Sequence, residues 1–358
     1  MQDFVYTGQA GRVVFGSGAL SHLEREIDLL GAKRVLVLST PGQARLAEMA
    51  ADCLGGRTAG IFPQAVMHVP IETAQEARQE ARRLGADGIV AIGGGSTTGL
   101  AKAIALDSGL PILAIPTTYA GSEMTTVYGI TEAGVKKTGK DPRVLPRTVI
   151  YDPELTLKLP TVLSVTSGMN AIAHAVEGLY GKDSNPVMNL MAEEGIRAIA
   201  NALPLIRQKT DDVLARADAL YGAWLCGMVM SSVGMALHHK LCHTLGGSFG
   251  LSHAEVHTVV LPHALDFNAA AAPDAVYRIE RAMGLSGKTS AAAGLFDLAK
   301  DNGAPVALKD IGMKATDLDK AADLAVSNPY WNPRPLGPEQ RPEILQLLRR
   351  AYEGIRPA

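Results

Sequence analysis

Three short apolar runs in the first 150 residues, each stopped by small or hydroxylated residues, constrain the fold more than any other feature of this sequence. The runs cover 34–38, 88–92 and 111–115, and they end at Ser39-Thr40, Gly93-Gly94-Gly95-Ser96 and Pro116-Thr117-Thr118. Each run has the length of a buried strand. The charged stretch 72–84 between the first two runs has the composition of a surface helix. This alternation predicts a parallel sheet covered by helices, with a ligand outside the carboxyl ends of its strands.

The sequence pattern changes at Tyr151-Asp152-Pro153-Glu154, where a proline and polar residues predict a turn and β-branched runs become rare afterwards. Beyond it, residues 164–205, 212–265 and 289–355 are helical by spacing. Three prolines exclude a helix at 328–335 and indicate an ordered loop. A length of 358 residues predicts two domains. We place an α/β domain at residues 1–152 and an all-α domain at residues 153–358.

Composition excludes several classes of partner. A net charge of −2 argues against nucleic acid, which needs clustered Lys and Arg. No apolar run approaches the ~20 residues that cross a bilayer, and the first residues lack the features of a signal peptide. The three cysteines, Cys53, Cys226 and Cys242, do not indicate a disulfide framework. We therefore expect a cytoplasmic protein that binds neither membrane nor nucleic acid.

The glycine-rich segment Gly93-Gly94-Gly95-Ser96-Thr97-Thr98 lies between an apolar strand and the helical stretch 100–107. Backbone without side chains lets N–H groups approach an anion, and the N-terminus of a helix adds positive potential. The pattern is neither G-x-G-x-x-G nor a P-loop. The alternative is a tight turn with no ligand, but three successive glycines followed by hydroxyls favour a phosphate site.

Seven of the nine histidines lie between residues 174 and 263, namely His174, His238, His239, His243, His253, His257 and His263. His239 and His243 are spaced i, i+4, so on a helix both rings project from one face. His253 follows after a segment with Gly246, Gly247 and Gly250, which allows the chain to turn back. His174 lies four residues after Asn170. We predict that Asn170, His174, His239, His243 and His253 converge in the all-α domain, facing the glycine-rich segment.

Each of these histidines taken alone is explained by a hydrogen-bonded core or a helix cap. Several imidazoles among apolar helices, however, need polar partners, and a shared polar site would supply them to the whole group. Whether this polar site binds a metal stays open at this point. Asn170 is a neutral amide, and a hard cation prefers a carboxylate at such a position. Glu177, three residues after His174, is interpreted as support for a histidine.

Longer motifs give the chain a resemblance to the iron-containing alcohol dehydrogenase superfamily. It begins at residues 12–18 and extends through the helical domain, and the superfamily's pyrophosphate motif Gly-Gly-Gly-Ser matches residues 93–96. The resemblance implies a Rossmann-like NAD(P) domain followed by a helical domain, the fold shared with dehydroquinate synthase. The superfamily's metal ligands, one Asp and three His, fall on Asn170, His174, His239 and His253, with His243 at an additional active-site histidine.

Two departures from the superfamily pattern point to one branch. The ligand Asp is Asn170 here, and the Asp that usually follows the glycine motif is Gly99. Both changes resemble the maleylacetate reductases. The strings that carry this resemblance are Phe4-Val5-Tyr6 and the segments 93–102, 242–249 and 328–335.

The resemblance implies reduction of the carbon–carbon double bond of maleylacetate to 3-oxoadipate with NADH or NADPH, a step in bacterial degradation of aromatic compounds. Hydride addition beside a ketone leaves an enolate, which a histidine can stabilise and protonate. An alcohol dehydrogenase stabilises an alkoxide instead, for which a metal helps. We therefore expect no required metal. Two alternatives are a metal-dependent alcohol dehydrogenase using iron or zinc, and a non-catalytic ligand-binding protein.

This chemistry suggests roles for individual residues. We expect His243 and His253 to polarise the ketone and deliver the proton, with His174 and His239 as positioning residues and Asn170 in the same catalytic group. Lys240 and Arg334 are candidates to bind a small dicarboxylate, as is Lys137, which a solvated surface charge explains equally well.

Gly94, Gly95 and Ser96 are expected at the cofactor pyrophosphate, with Thr117 and Thr118 beside the nucleotide. Ser39-Thr40 ends its strand without a carboxylate that would grip a ribose hydroxyl, so use of both NADH and NADPH is expected. The family also implies a homodimer.

Overall fold

The computed structural model describes residues 11–133 and 135–358, together with Phe4, Tyr6 and Gly8. Backbone contacts group residues 8–159 into one compact unit and residues 160–358, together with Phe4 and Tyr6, into another. The boundary between the units lies a few residues after residues 151–154, where the sequence pattern changes, because Leu155 still packs against the core of the first unit.

In the part of the first unit that the structure describes, the chain forms eight strands. They are β1 (Arg12–Phe15), β2 (Val35–Leu38), β3 (Thr58–Phe62), β4 (Gly88–Gly93), β5 (Ile112–Pro116), β6 (Val127–Glu132), β7 (Val135–Lys140) and β8 (Thr148–Tyr151). Six of them form a parallel sheet in the order β1-β8-β5-β4-β2-β3, and β6 and β7 form an antiparallel hairpin. The predicted parallel sheet is thus confirmed.

The three apolar runs of the sequence form the middle of this sheet. Strands β2, β4 and β5 are buried along their whole length, as parallel strands covered on both faces require. Strand β8, which the sequence did not indicate, lies between β1 and β5.

Four helices cover the sheet: α1 (Leu23–Leu30), α2 (Ala44–Leu54), α3 (Ile71–Arg83) and α4 (Gly95–Ser108). Helix α3 is the predicted charged helix, and it buries only its alanines, Ala74, Ala77 and Ala81. From β2 the chain runs outward to β3, then crosses back to β4 and continues to β5 on the other side. The direction reverses between β2 and β4, and a ligand crevice is expected at their carboxyl ends.

The second unit is helical in its described residues. Its helices are α5 (Thr161–Tyr180), α6 (Pro186–Gln208), α7 (Val213–Ser232), α8 (Leu237–Phe249), α9 (His253–Asn268), α10 (Pro273–Ala282), α11 (Ala291–Asp301), α12 (Leu318–Ser327) and α13 (Arg341–Glu353). Residues 328–335 are not helical, as the prolines predicted. Helix α10 was not predicted.

Glycines allow α5, α6 and α7 to approach closely. A Cβ at Gly178 of α5 would lie 2.1 Å from Cγ1 of Val229 on α7, and one at Gly195 of α6 would lie 2.7 Å from Sγ of Cys226. Contacts this short have no room for a methyl group, so these glycines fix the register of the three helices.

Helix α7 is long and apolar enough to cross a membrane by length and composition, and 56% of that stretch is buried inside the protein. It contains the fully buried Arg216, whose Nη1 donates to Oγ of Ser164 at 2.6 Å. Core helices have the same features, so this helix is weak evidence for a membrane span.

Candidate active site

The glycine-rich segment is mostly the first turn of a helix. Strand β4 ends at Gly93, Gly94 caps the helix, and α4 already begins at Gly95, earlier than the sequence indicated. The N–H groups of Thr97 and Thr98 both donate to the carbonyl of Gly94, at 3.1 and 3.2 Å. The amides of Gly95 and Ser96 come before these bonds, at the position where the N–H groups of a helix have no acceptor within it and can face an anion.

Gln43 joins the loops that follow three neighbouring strands. Its Nε2 donates to Oγ1 of Thr117 at 2.8 Å, and its Oε1 accepts from Oγ1 of Thr40 at 3.3 Å. The N–H of Thr117 donates to the carbonyl of Gly93 at 3.0 Å. The loops after β2, β4 and β5 therefore meet at one edge of the sheet. The sequence had not singled out Gln43.

Gly94 and Gly95 differ in the space around them. A Cβ at Gly94 would lie 2.9 Å from Cγ2 of Thr118, whereas the nearest atom to a Cβ at Gly95 is Cβ of Ala120 at 3.8 Å. Gly95 is also exposed. The fold itself therefore has room for a side chain at Gly95.

We expect Gly95→Ala to weaken NAD(P)H binding by a factor of ~10, about 1.4 kcal/mol, without lowering thermal stability. The added methyl group would occupy the space through which a pyrophosphate approaches the amides. Fluorescence titration with NADH and a melting curve measure the two quantities. Gly56→Ala, at another exposed glycine with nothing within 4 Å of its Cβ, is the control and should change neither. Unchanged affinity in Gly95→Ala would exclude a phosphate at this turn.

The histidines of the second unit come together from three helices. Asn170 and His174 lie on α5, His239 and His243 on α8, and His253 begins α9. The turn before α9 needs only Gly250, which has φ of 70°, whereas Gly246 and Gly247 are inside α8. The ring of His239 lies 6.0 Å from that of His243 and 4.9 Å from that of His257, which in turn is 4.3 Å from His253.

Hydrogen bonds join four of these side chains in a row. Nδ1 of His239 donates to Oε2 of Glu177 at 2.7 Å. Nδ1 of His174 lies 3.0 Å from Nε2 of His239, and Nε2 of His174 lies 3.4 Å from Nδ2 of Asn170. Glu177 therefore supports a histidine, as predicted, and that histidine is His239.

The Glu177 carboxylate also binds the beginning of α8. It accepts from the N–H of Ala236 at 2.8 Å and from the N–H of His238 at 2.7 Å. Glu177 is completely buried, and a carboxylate at the N-terminus of a helix is stabilised by the amides there.

The histidines differ in accessibility. His174 and His239 are 3% and 1% exposed, whereas His243 and His253 are only half-buried. Nδ1 of His243 lies 3.0 Å from the hydroxyl of Tyr330, and Nζ of Lys240 lies 5.8 Å from the centre of the Tyr330 ring. A molecule from solvent reaches His243 and His253 before it reaches the other two.

His238, Cys242 and His257 form a second, fully buried group whose donor atoms lie within 4.8 Å of one another. Nε2 of His238 is 3.0 Å from Nδ1 of His257. Burial lowers the pKa of both imidazoles well below the usual value and raises the pKa of the Cys242 thiol. The hydrogen bond between the two imidazoles and the Sγ–Nε2 distance of 3.5 Å between Cys242 and His238 describe a buried polar core next to the accessible histidines.

Asn332 anchors the proline-rich loop that carries Tyr330. Its side chain exchanges hydrogen bonds with the side chain of Asn268 at 2.9 and 2.6 Å, and its Oδ1 accepts from the N–H of Leu237 at 3.3 Å. The loop is thereby tied to the end of α9 and the beginning of α8, which holds Tyr330 against His243.

Arg334 and Lys137 have charged partners of their own. The Arg334 guanidinium packs 4.1 Å from the ring centre of Phe267 and pairs with Glu343, so it lies at the opposite end of α9 from His253. Lys137 pairs with Glu132 at the exposed β6–β7 hairpin. These contacts give no support to a role of Arg334 or Lys137 in substrate binding, and Lys240 lies beside Tyr330, which contacts His243.

Comparison with known proteins gives consistent results. The family model for iron-containing alcohol dehydrogenase matches residues 10–153, and the model for the C-terminal part of the Fe-containing alcohol dehydrogenase family matches residues 164–352. The maleylacetate reductase of Burkholderia cepacia is 63% identical over 100% of both chains. The structure of a maleylacetate reductase from Agrobacterium tumefaciens has a TM-score of 0.94 at 52% identity and covers 100% of both chains. That of an iron-containing alcohol dehydrogenase from Corynebacterium glutamicum has a TM-score of 0.94 at 43% identity, covering 100% of this chain and 99% of that one.

Proposed function

The chain belongs to the iron-containing alcohol dehydrogenase family and, within it, to the maleylacetate reductases, and on that premise we propose that it reduces the double bond of maleylacetate with NAD(P)H, giving 3-oxoadipate. The alternative, a metal-dependent alcohol dehydrogenase, is weaker because full-length relatives at 51–63% identity are maleylacetate reductases. The proposal includes a homodimer, which the molar mass in solution tests.

One observation carries the assignment of roles: the histidines divide into two that solvent reaches and two that it does not. We assign proton delivery and polarisation of the ketone to the accessible His243 and His253. The buried His174 and His239, with Asn170, hold the surroundings of that pair in place. Lys240, beside the Tyr330 ring, would bind a carboxylate of the substrate dianion.

The cofactor assignment rests on the edge where β2, β4 and β5 end. Gly94, Gly95 and Ser96 would hold the pyrophosphate with backbone amides, and the open space at Gly95 fits such a group. Thr117, Thr118, Ser39 and Thr40 line the same edge. Bound NADH or NADPH supplies the hydride.

The residues at the family's metal positions lack the negative charge that a hard divalent cation prefers. Asn170, His174, His239 and His253 include no anionic group. The amide nitrogen of Asn170, a donor, is the atom nearest Nε2 of His174, and Nε2 of His239 already lies within hydrogen-bond distance of His174. The Glu177 carboxylate, which contacts His239, accepts three N–H groups. We therefore infer that catalysis does not use a metal at these residues.

The reaction needs one hydride and one proton. The hydride adds to the carbon β to the ketone, and the electrons of the double bond move to the ketone oxygen, giving an enolate. A donated hydrogen bond from His243 or His253 stabilises that oxygen, and transfer of a proton to the carbon next to the ketone restores the carbonyl. An enolate is a much weaker base than an alkoxide, so an imidazole suffices where an alcohol dehydrogenase uses a cation.

We expect chelator-treated protein to oxidise NADH with maleylacetate as fast as untreated protein. Absorbance at the NADH band measures the rate. Small alcohols with NAD, with and without added iron or zinc, are assayed in parallel and should give no comparable rate. If the protein oxidises alcohols only with added metal and does not reduce maleylacetate, it is a metal-dependent alcohol dehydrogenase and the proposal is wrong.

A further inference from the structure

We propose that Glu177 is a positioning residue that sets the direction of the hydrogen-bond row Glu177–His239–His174–Asn170 and so fixes which nitrogen of each buried imidazole carries the proton. The role in catalysis rests on the proposed reductase function, whereas the proton positions do not.

The argument begins at the carboxylate, which only accepts. Because Oε2 of Glu177 lies 2.7 Å from Nδ1 of His239, that nitrogen must carry a proton. A neutral imidazole has one N–H, so Nε2 of His239 is an acceptor. It lies 3.0 Å from Nδ1 of His174, which must therefore be the donor.

The same reasoning reaches the far end of the row. With its proton on Nδ1, His174 presents a lone pair at Nε2, and the group 3.4 Å away is the amide nitrogen of Asn170, a donor. The row thus has one accepting end, at Glu177, and one donating end, at Asn170. A carboxylate at both ends would place two acceptors against two imidazoles that have one proton each. Asparagine at position 170 and glutamate at position 177 are therefore a matched pair.

Because the row is buried, the direction of its hydrogen bonds affects the position of the rings. Glu177 is 0% exposed, Asn170 is 4% exposed, and the two imidazoles between them are 3% and 1% exposed, so water cannot readily replace a mismatched partner. The His239 ring lies 6.0 Å from that of the accessible His243. A reversed or broken row would turn the buried rings and disturb the residues that contact substrate.

Two single substitutions test the direction. In Glu177→Gln, one amide oxygen must serve the three N–H groups that the carboxylate accepts. Where the amide nitrogen faces Nδ1 of His239, the proton moves to Nε2, which reverses the row against Asn170. In Asn170→Asp, an acceptor meets Nε2 of His174 and draws a proton to it. We expect each to lower kcat for maleylacetate about 10- to 100-fold, with KM for NAD(P)H unchanged, in keeping with the loss of residues that orient a histidine.

The double variant E177Q/N170D discriminates between a structural and a directional role. It has one accepting end and one donating end again, in the opposite sense, so kcat should recover above that of either single variant. Both glutamine variants lose one of the two acceptor oxygens for the N–H groups at the start of α8, so a purely structural role predicts no recovery. If the double variant is folded but its kcat does not recover, the proposal is wrong.

Nitrogen NMR of histidine-labelled protein reads the proton positions without substrate. We expect His174 and His239 protonated at Nδ1 in the unsubstituted protein, and His174 protonated at Nε2 in N170D, which leaves the helix start untouched. The same proton positions in all variants would exclude the proposal, whatever the activity. If the unsubstituted protein shows the expected positions but does not reduce maleylacetate, the function fails and the row stands.

Discussion

Replacing His243 by glutamine is expected to lower kcat for maleylacetate reduction by about 10²- to 10⁴-fold, the usual contribution of a general acid or base. His243 and His253 are the half-buried members of the cluster, so substrate from solvent meets them first. Glutamine keeps a hydrogen-bond donor but cannot release a proton near neutral pH. His253→Gln should lose activity within the same range, because we assign the two residues to one step.

Steady-state kinetics on both variants provide the measurement. KM for NAD(P)H and the melting temperature should not change, since neither side chain is buried in the core and the glycine-rich turn lies in the other unit. Tyr330→Phe is the matched control: it removes only the hydroxyl that lies 3.0 Å from Nδ1 of His243, so a loss of less than tenfold is expected. If both glutamine variants stay within tenfold of the unsubstituted enzyme, another group delivers the proton.

Gly178→Ala is expected to lower the free energy of unfolding by about 1–3 kcal/mol, the cost of overpacking a core. The added Cβ would lie 2.1 Å from Cγ1 of Val229, a distance that real atoms do not accept, and both helices are packed on their other faces. For a unit of this size the melting temperature should fall by roughly 2–4 °C per kcal/mol. Thermal and denaturant unfolding measure the loss. Activity should fall as well, since Glu177 is the preceding residue of the same helix.

The double variant G178A/V229A separates the clash from other causes. Val229→Ala alone leaves a cavity and destabilises, yet combined with Gly178→Ala it removes the clashing methyl group. We expect the double variant to be more stable than Gly178→Ala alone. Gly247→Ala, at an exposed helical glycine with nothing within 4 Å of its Cβ, should be neutral or slightly stabilising. Additive losses in the double variant would exclude steric conflict as the cause.

Much of the fold follows from local patterns. Strands β2, β4 and β5 were predictable because an uninterrupted apolar run of strand length has few other places than the middle of a sheet. Strand β8 was not, because its place between β1 and β5 depends on partners far away in the chain. The start of α4 was misjudged, since successive glycines indicate a loop by propensity while the carbonyl of Gly94 already accepts two helical hydrogen bonds.

In the candidate site, too, local relations were predictable from the sequence and long-range ones were not. The i, i+4 spacing put His239 and His243 on one helix face correctly, because that relation is local. The partners of the histidines were harder to predict. Glu177 meets His239 across 62 residues of sequence and Tyr330 meets His243 across 87, and no short pattern links either pair. Arg334 belongs to a conspicuous motif, but its guanidinium lies against Phe267.

Glu177 and Gly178 are successive residues of α5, one directing the imidazoles and the other allowing α7 to approach. Their adjacency restricts how the sequence can change over evolutionary time. A larger residue at position 178 becomes acceptable only after Val229 has been replaced by a smaller one, and a neutral residue at position 177 only with a matching change at Asn170. Descendants of this chain should therefore change these positions in pairs and in a fixed order, or not at all.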